Sequence, residues 1–139
     1  MYSVTFIQYW LLTNSTDFLV KLLILDNYSA VYQRLIELLG GVESLSALSI
    51  ARTLAEFPDK LEKLNPDIVV LDVDFPDGRS LRHIKRIREY VPEARIYIFS
   101  NLYEYKAHAA TFGADAFFDK SLEFEQLVDQ LLADAKQTV

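Results

Sequence analysis

Leu64-Asn65-Pro66-Asp67-Ile68-Val69-Val70-Leu71-Asp72 decides the fold. Ile68 to Leu71 run apolar without a break and close on a carboxylate. A continuous apolar run of this length suits a strand buried on both faces of a parallel sheet, where helices cover each side. Similar runs lie on either side of it, at Leu22 to Leu25, Leu45 to Ile50, Ile96 to Phe99 and Ala116 to Phe118. The run from Leu45 alternates with serine and alanine, which predicts a less buried strand nearer an edge.

The segments between these runs have helical period. Val31, Leu35, Leu38 and Leu39 mark the first helix, stopped by Gly40-Gly41. Thr53 and Glu56 form a capping-box pair for the second, and Pro58 is compatible only with its first turns. Leu81, Ile84 and Ile87 share one side of the third. Arg79, Arg82, Lys85, Arg86 and Arg88 fill much of the rest and read as a solvated face. The fourth, near Tyr103 to Phe112, is short and alanine-rich, with Tyr105 and His108 expected on its surface. Phe124, Leu127, Val128, Leu131 and Leu132 give the fifth an i, i+3, i+4, i+7, i+8 stripe. The order is (βα)5. Right-handed crossovers then put helices on both faces, and ligand chemistry belongs at the carboxyl ends of the strands, near a topological switch point.

Composition narrows the function classes. A chain of 139 residues, 51% hydrophobic, forms one domain with a real core. The net charge of −6 argues against direct nucleic-acid binding, which leaves a basic footprint. The absence of cysteine excludes disulfides, thiolate zinc sites and thiol nucleophiles, and fits a cytoplasmic setting. The two histidines, His83 and His108, make no zinc motif. No membrane span is expected, because no stretch reaches the ~18 apolar residues required. Residues 1–19 read as an apolar N-terminal extension, with Trp10 among its apolar residues. The first basic residue is Lys21, so a signal peptide is not expected. The extension suits an added element over an apolar patch, or a homodimer contact. Residues 20–136 form the domain itself.

Four of the five apolar runs end in polar side chains: Asp26-Asn27, then Asp72 with Asp74 and Asp77 beyond it, then Ser100-Asn101, then Asp119-Lys120-Ser121. In a parallel sheet these ends meet at one rim. A carboxylate there can accept a phosphoryl group, oxygen donors can hold Mg²⁺, and a hydroxyl and an ammonium can bind the remaining phosphoryl oxygens. Stabilising that spread charge is most of what phosphoryl transfer requires.

On this ordered set, with Phe75-Pro76-Asp77-Gly78 and Phe112-Gly113-Ala114-Asp115-Ala116-Phe117-Phe118-Asp119-Lys120, the chain resembles the receiver domain of two-component response regulators. Its stretch from Phe117 to Ser121, followed by Glu123-Phe124-Glu125, is similar to short, single-domain receivers. The resemblance implies a flavodoxin-like doubly wound five-stranded parallel sheet in the order 2-1-3-4-5. It implies Asp72 as phosphoacceptor, Asp26, Asn27 and Asp72 as the Mg²⁺ site, and Lys120 and Ser100 as phosphoryl partners. Ser100 and Phe117 would be the switch pair. A histidine kinase or phosphotransfer protein would be the donor. Few residues follow the fifth helix, so output is expected in trans, through a downstream protein or self-association.

Two departures from the family pattern matter. Asn27 stands where an acid is usual. One negative charge fewer at ~4 Å removes up to about 4 kcal/mol of attraction at an effective dielectric near 20, enough to lower metal affinity tenfold or more. Asp74 could compensate if its side chain reaches the rim. Ser121 replaces the proline usual after the lysine, which makes a cis bond there much less favourable. The stretch from Asn101 to Phe112 is also about two residues shorter than usual. Asn27 motivates an alternative function, a phosphorylation-independent interaction module. A more remote one is a haloacid-dehalogenase-like phosphatase, which Asp72-Val73-Asp74 and Phe99-Ser100-Asn101 mimic, but no acidic pair on a later strand follows Lys120. A flavin site is disfavoured by the loop Asn27-Tyr28-Ser29-Ala30, which lacks a phosphate cradle's glycines.

Overall fold

Five strands form an all-parallel sheet in a computed structural model that describes residues 20–40 and 45–137. They are β1 (Val20–Leu25), β2 (Leu45–Ala51), β3 (Ile68–Leu71), β4 (Arg95–Ser100) and β5 (Ala116–Asp119). Their order is β2-β1-β3-β4-β5, as the family resemblance implies. The apolar residues 1–19 and Gly41 lie outside the described residues. Between the strands lie α1 (Ser29–Leu39), α2 (Phe57–Leu64), α3 (His83–Tyr90) and α4 (Lys106–Ala109). After β5 comes α5 (Phe124–Gln137). No helix among the described residues is long and apolar enough to cross a membrane.

The unbroken apolar runs are explained by the two cores. Side chains alternate across a strand. Leu23, Leu25, Val69, Leu71, Ile96 and Ile98 pack on one face with Phe57 and Leu61 of α2 and Ile84 and Ile87 of α3. Leu22, Ile24, Val70, Tyr97 and Phe99 pack on the other with Leu35 of α1 and Leu127 and Leu131 of α5. Full burial of each such side chain is worth about 1.5–3 kcal/mol. Strand β2 is an edge strand and only half-buried, in line with its alternation.

Local signals mostly act where the sequence puts them. Asn65 closes α2 in the left-handed conformation at φ 50°, its N–H donating to the Leu61 carbonyl at 3.0 Å, and Pro66 prevents continuation. The Thr53–Glu56 pair does form: the Glu56 N–H donates to Thr53 Oγ1 at 3.2 Å, and the Arg52 N–H to Glu56 Oε1 at 3.4 Å. It closes a turn ahead of the helix rather than the helix start itself. Regular α2 begins at Phe57, with Pro58 in its first turn. Gly40 ends α1 in ordinary right-handed geometry. The fourth helix is one α-turn preceded by a 3-10 turn, Tyr103–Tyr105. After Asp72, Asp74–Phe75 and Gly78–Arg79 form a small antiparallel ladder that the sequence reading did not anticipate. Gly78 adopts φ +140°, which a side chain would oppose.

Candidate functional site

Register brings the site together. Leu25 of β1 pairs with Leu71 of β3, so Asp26 and Asp72 leave neighbouring strands at the same level. They flank the β1–β3 crevice, where the chain reverses its direction across the sheet. Backbone bonds fix both: Asp72 N–H donates to the Leu25 carbonyl at 2.9 Å, and Asp26 N–H to the Ala51 carbonyl at 3.0 Å. Lys120 follows the Ser100–Asp119 pair of β4 and β5 and reaches back across the rim.

Its ammonium lies between the two carboxylates, 2.8 Å from Asp26 Oδ2 and 2.6 Å from Asp72 Oδ2. All three groups are buried: Asp26 is 2% exposed, Asp72 3%, and the Lys120 side chain 5%. The remaining carboxylate oxygens are occupied by backbone donors. Asp26 Oδ1 accepts the Tyr28 N–H at 2.8 Å, and Asp72 Oδ1 accepts the Asp74 N–H at 3.2 Å. Charge-assisted bonds of this kind compensate the cost of burying ions. Even so, the Asp26 carboxyl is held above its ordinary value. Burial raises it most, Lys120 and the Tyr28 N–H oppose this, and Asp72 adds a smaller upward push.

Ser100 is fully buried at the end of β4. Its hydroxyl accepts the Leu102 N–H at 3.1 Å, and its carbonyl accepts the Lys120 N–H at 3.1 Å. Phe117 is buried and meets the exposed Tyr103 ring edge-on, with centroids 6.4 Å apart. Asn27 is exposed on the β1–α1 loop. Asp74 does not reach the rim to replace the missing acid. Its carboxylate pairs with Arg79 at 3.3 Å, because the ladder places these two residues opposite each other. Among the described residues, no group of three or more His, Cys, Asp or Glu is arranged to hold a metal ion. The donor set is two facing carboxylates, which suits Mg²⁺ where water and phosphoryl oxygens complete the shell.

The turn after Lys120 is held without proline. Asp119 Oδ1 accepts the N–H groups of Ser121 at 2.8 Å and Leu122 at 3.1 Å, and the Ser121 hydroxyl donates to Asn101 Oδ1 at 2.8 Å. No cis peptide bond occurs among the described residues.

Two contributors escaped the sequence reading. Fully buried Ser80 donates its hydroxyl to the Asp72 carbonyl, tying the ladder back to the end of β3. Tyr28 lays its ring over the Lys120 ammonium, 4.6 Å from the centroid. An aromatic residue directly after Asp26-Asn27 was the available signal for Tyr28. Ser80 had none, because its role depends on the ladder. The basic face is solvated at Arg82, Lys85 and Arg86 as expected, and Arg79 is exposed while paired with Asp74. Arg88 departs from it: drawn inward, it donates to the Gly113 carbonyl at 2.9 Å and pairs with Asp115 at 2.7 Å. Tyr105 is half-buried against the core rather than free on the surface.

The sequence profile of the response regulator receiver domain matches residues 22–132. The chain belongs to the response regulator receiver family. Among curated relatives, the DNA-binding transcriptional activator DevR/DosR of Mycobacterium tuberculosis is 29% identical over 83 residues, 60% of this chain and 38% of that protein. The regulatory protein LnrK of Bacillus subtilis is 25% identical over 116 residues, 82% of this chain and 53% of that one. This receiver therefore spans about half or less of the length of these relatives. Solved receivers share the fold. The response regulator domain of Thermotoga maritima CheB superposes with a TM-score of 0.72 at 22% identity, covering 86% of this chain and 96% of that one. The BeF3-activated receiver domain of DrrB gives 0.72 at 22% identity, covering 85% and 98%. The family is a signalling domain of two-component systems.

Proposed function

We propose that residues 20–136 act as a phosphoacceptor receiver in a cytoplasmic two-component phosphorelay, with Asp72 taking the phosphoryl group from a histidine kinase or phosphotransfer protein. The observation behind this reading is the Lys120 ammonium held 2.6 Å from Asp72 and 2.8 Å from Asp26. In the transfer, an Asp72 oxygen bonds to phosphorus while the bond to the donor breaks. Lys120 moves its hydrogen bond from Asp72 to a phosphoryl oxygen, and Ser100 supplies a hydroxyl donor once it releases the Leu102 turn. Asp26 and Asp72, with the Asn27 amide, are the residues that would hold Mg²⁺. When bound it supplies positive charge to the phosphoryl oxygens. The added charge of about −1.5 to −2 then draws the Ser100 hydroxyl toward the phosphoryl group and changes the packing of Phe117 against Tyr103, which passes the signal on.

Incubation of the chain with Mg²⁺ and acetyl phosphate or phosphoramidate tests this by intact mass. One phosphoryl adduct is expected, and Asp72→Asn is expected to abolish it. No adduct with either donor at any Mg²⁺ concentration would remove the reading. A second reading, a phosphorylation-independent interaction module, is favoured by exposed Asn27 and by a trio already bound together by Lys120. Mg²⁺ titration of wild type and Asn27→Asp separates the two. A receiver with a weakened metal site gains affinity about tenfold or more in the variant. A module that has abandoned phosphate gains no adduct in either protein.

A further inference from the structure

We propose that Tyr28 is a positioning residue whose ring caps the Lys120 ammonium and slows its release from the Asp26–Asp72 pair to an incoming phosphoryl group. This inference rests on the phosphoacceptor reading above and names a regulator of that site's rate.

The ring is not placed by chance side-chain packing. Tyr28 is fixed through its backbone, its N–H donating to Asp26 Oδ1 at 2.8 Å. Its carbonyl accepts the Val31 N–H at 3.0 Å, opening α1. The residue carrying the cap is thus bonded to the carboxylate that shares the capped ammonium. Tyr28 is 51% exposed while the Lys120 side chain beneath its ring is 5% exposed. The Phe99 ring lies 5.9 Å from the same nitrogen on the core side. A cation facing an aromatic ring is attracted by the ring's quadrupole, most strongly where water is excluded. The ammonium therefore has two carboxylates and two rings, the nearer that of Tyr28, holding it in the resting state.

The affected chemistry balances simply. From acetyl phosphate, an Asp72 oxygen bonds to phosphorus and the phosphorus–oxygen bond to the acetyl group breaks, so acetate leaves with that electron pair. In the reverse drain, water adds to phosphorus, the bond to Asp72 breaks, and inorganic phosphate leaves with the water's oxygen and protons. Lys120 changes only which oxygen it contacts in either direction. A cap that holds it back slows phosphoryl entry, and a ring covering the rim slows water.

The test compares wild type, Tyr28→Ala and Tyr28→Phe, each checked for folding by circular dichroism. Adduct formation from acetyl phosphate and its later decay are followed by intact mass. Tyr28→Ala is expected to speed both about three- to tenfold, the range a lost cation–π contact allows. Tyr28→Phe keeps the ring face and is expected within about twofold of wild type on the same grounds. In parallel, acetic anhydride labelling of Lys120 is read by peptide mass. Labelling rises in Tyr28→Ala and stays at the wild-type level in Tyr28→Phe. Equal phosphorylation rates in all three proteins, a slower Tyr28→Ala, or equal Lys120 labelling overturns the Tyr28 inference alone. A wild type that takes no phosphoryl group from any donor overturns the phosphoacceptor reading, and the rate role of Tyr28 falls with it.

Discussion

Asp26 shows how a buried carboxylate can be held by an ion pair and still be costly for stability. Two carboxylates share a single ammonium in a site closed to water, leaving one surplus negative charge. Burial outweighs Lys120 and raises the Asp26 carboxyl above its ordinary value. A folded-state value above the unfolded one means that the stabilising contribution is present at low pH and is lost as pH rises through the raised value. Asp26→Asn keeps an oxygen for the Tyr28 N–H and leaves Lys120 in a neutral pair with Asp72. The variant is expected to melt above wild type at neutral pH, and the gain should vanish as pH falls below the usual carboxylate range. Its phosphorylation should fall sharply. Thermal melts from pH 7 to pH 4, with intact mass beside them, check both. Asp26, Asp72 and Lys120 were legible because each closes an apolar run, and the register of a parallel sheet converts such endings into neighbours. Tyr28 and Ser80 were not. Their contributions come from a ring orientation and a ladder that no periodicity encodes.

Elements show the same division between pattern and geometry. Helix α3 has a pattern of buried Ile84 and Ile87 beneath a basic surface, and from period alone its arginines read as solvated. Arg88 departs from that because the chain returns twice beside it. Its guanidinium donates to the carbonyls of Ala94, ahead of β4, and Gly113, ahead of β5, and to Asp115. Asp115 in turn accepts the Ile96 N–H at 2.7 Å. One side chain thus fixes the entrances of two strands whose exits form the site. Arg88→Ala is expected to cost about 2 kcal/mol, the scale of hydrogen bonds to a charged group. Arg88→Lys should recover less than half, since an ammonium lacks the planar fork that reaches several acceptors at once. Urea denaturation should show a lower midpoint with unchanged slope. The displaced capping pair at Thr53 and Glu56 has a related cause. The bonds that sequence predicts are made, but Pro58 and the link from the Leu54 N–H to Asp77 Oδ1 at 3.4 Å hold the turn apart from the regular helix.

At the scale of the molecule, the sheet has a chemical end and a structural end. The Asp26–Asp72–Lys120 trio occupies the carboxyl ends of the strands. Near the opposite end, α5 carries Asp134, 2% exposed, which accepts from the Tyr97 hydroxyl and the Arg95 guanidinium, and from Gln130 at 2.9 Å. A buried carboxylate was invisible in the apolar stripe that predicted α5, since the stripe reports only which side faces the sheet. Asp134→Ala removes the acceptor and leaves the Tyr97 hydroxyl buried without it. The loss should be about 2–3 kcal/mol, toward the lower figure because the Arg95 side chain is half-exposed and screened. Burial first, and then Asp134, raise the Tyr97 phenol well above its ordinary value. A raised acid favours the folded state at lower pH, so this contribution is lost as pH climbs past the ordinary phenol value. The fall in melting temperature above that value should be shallower in Asp134→Ala than in wild type. Adduct formation at Asp72, measured well below the variant's melting temperature, should match wild type. A matching rate would mean that the two ends share a scaffold but not a function; a slowed rate would mean that α5 transmits strain from one end of the sheet to the other.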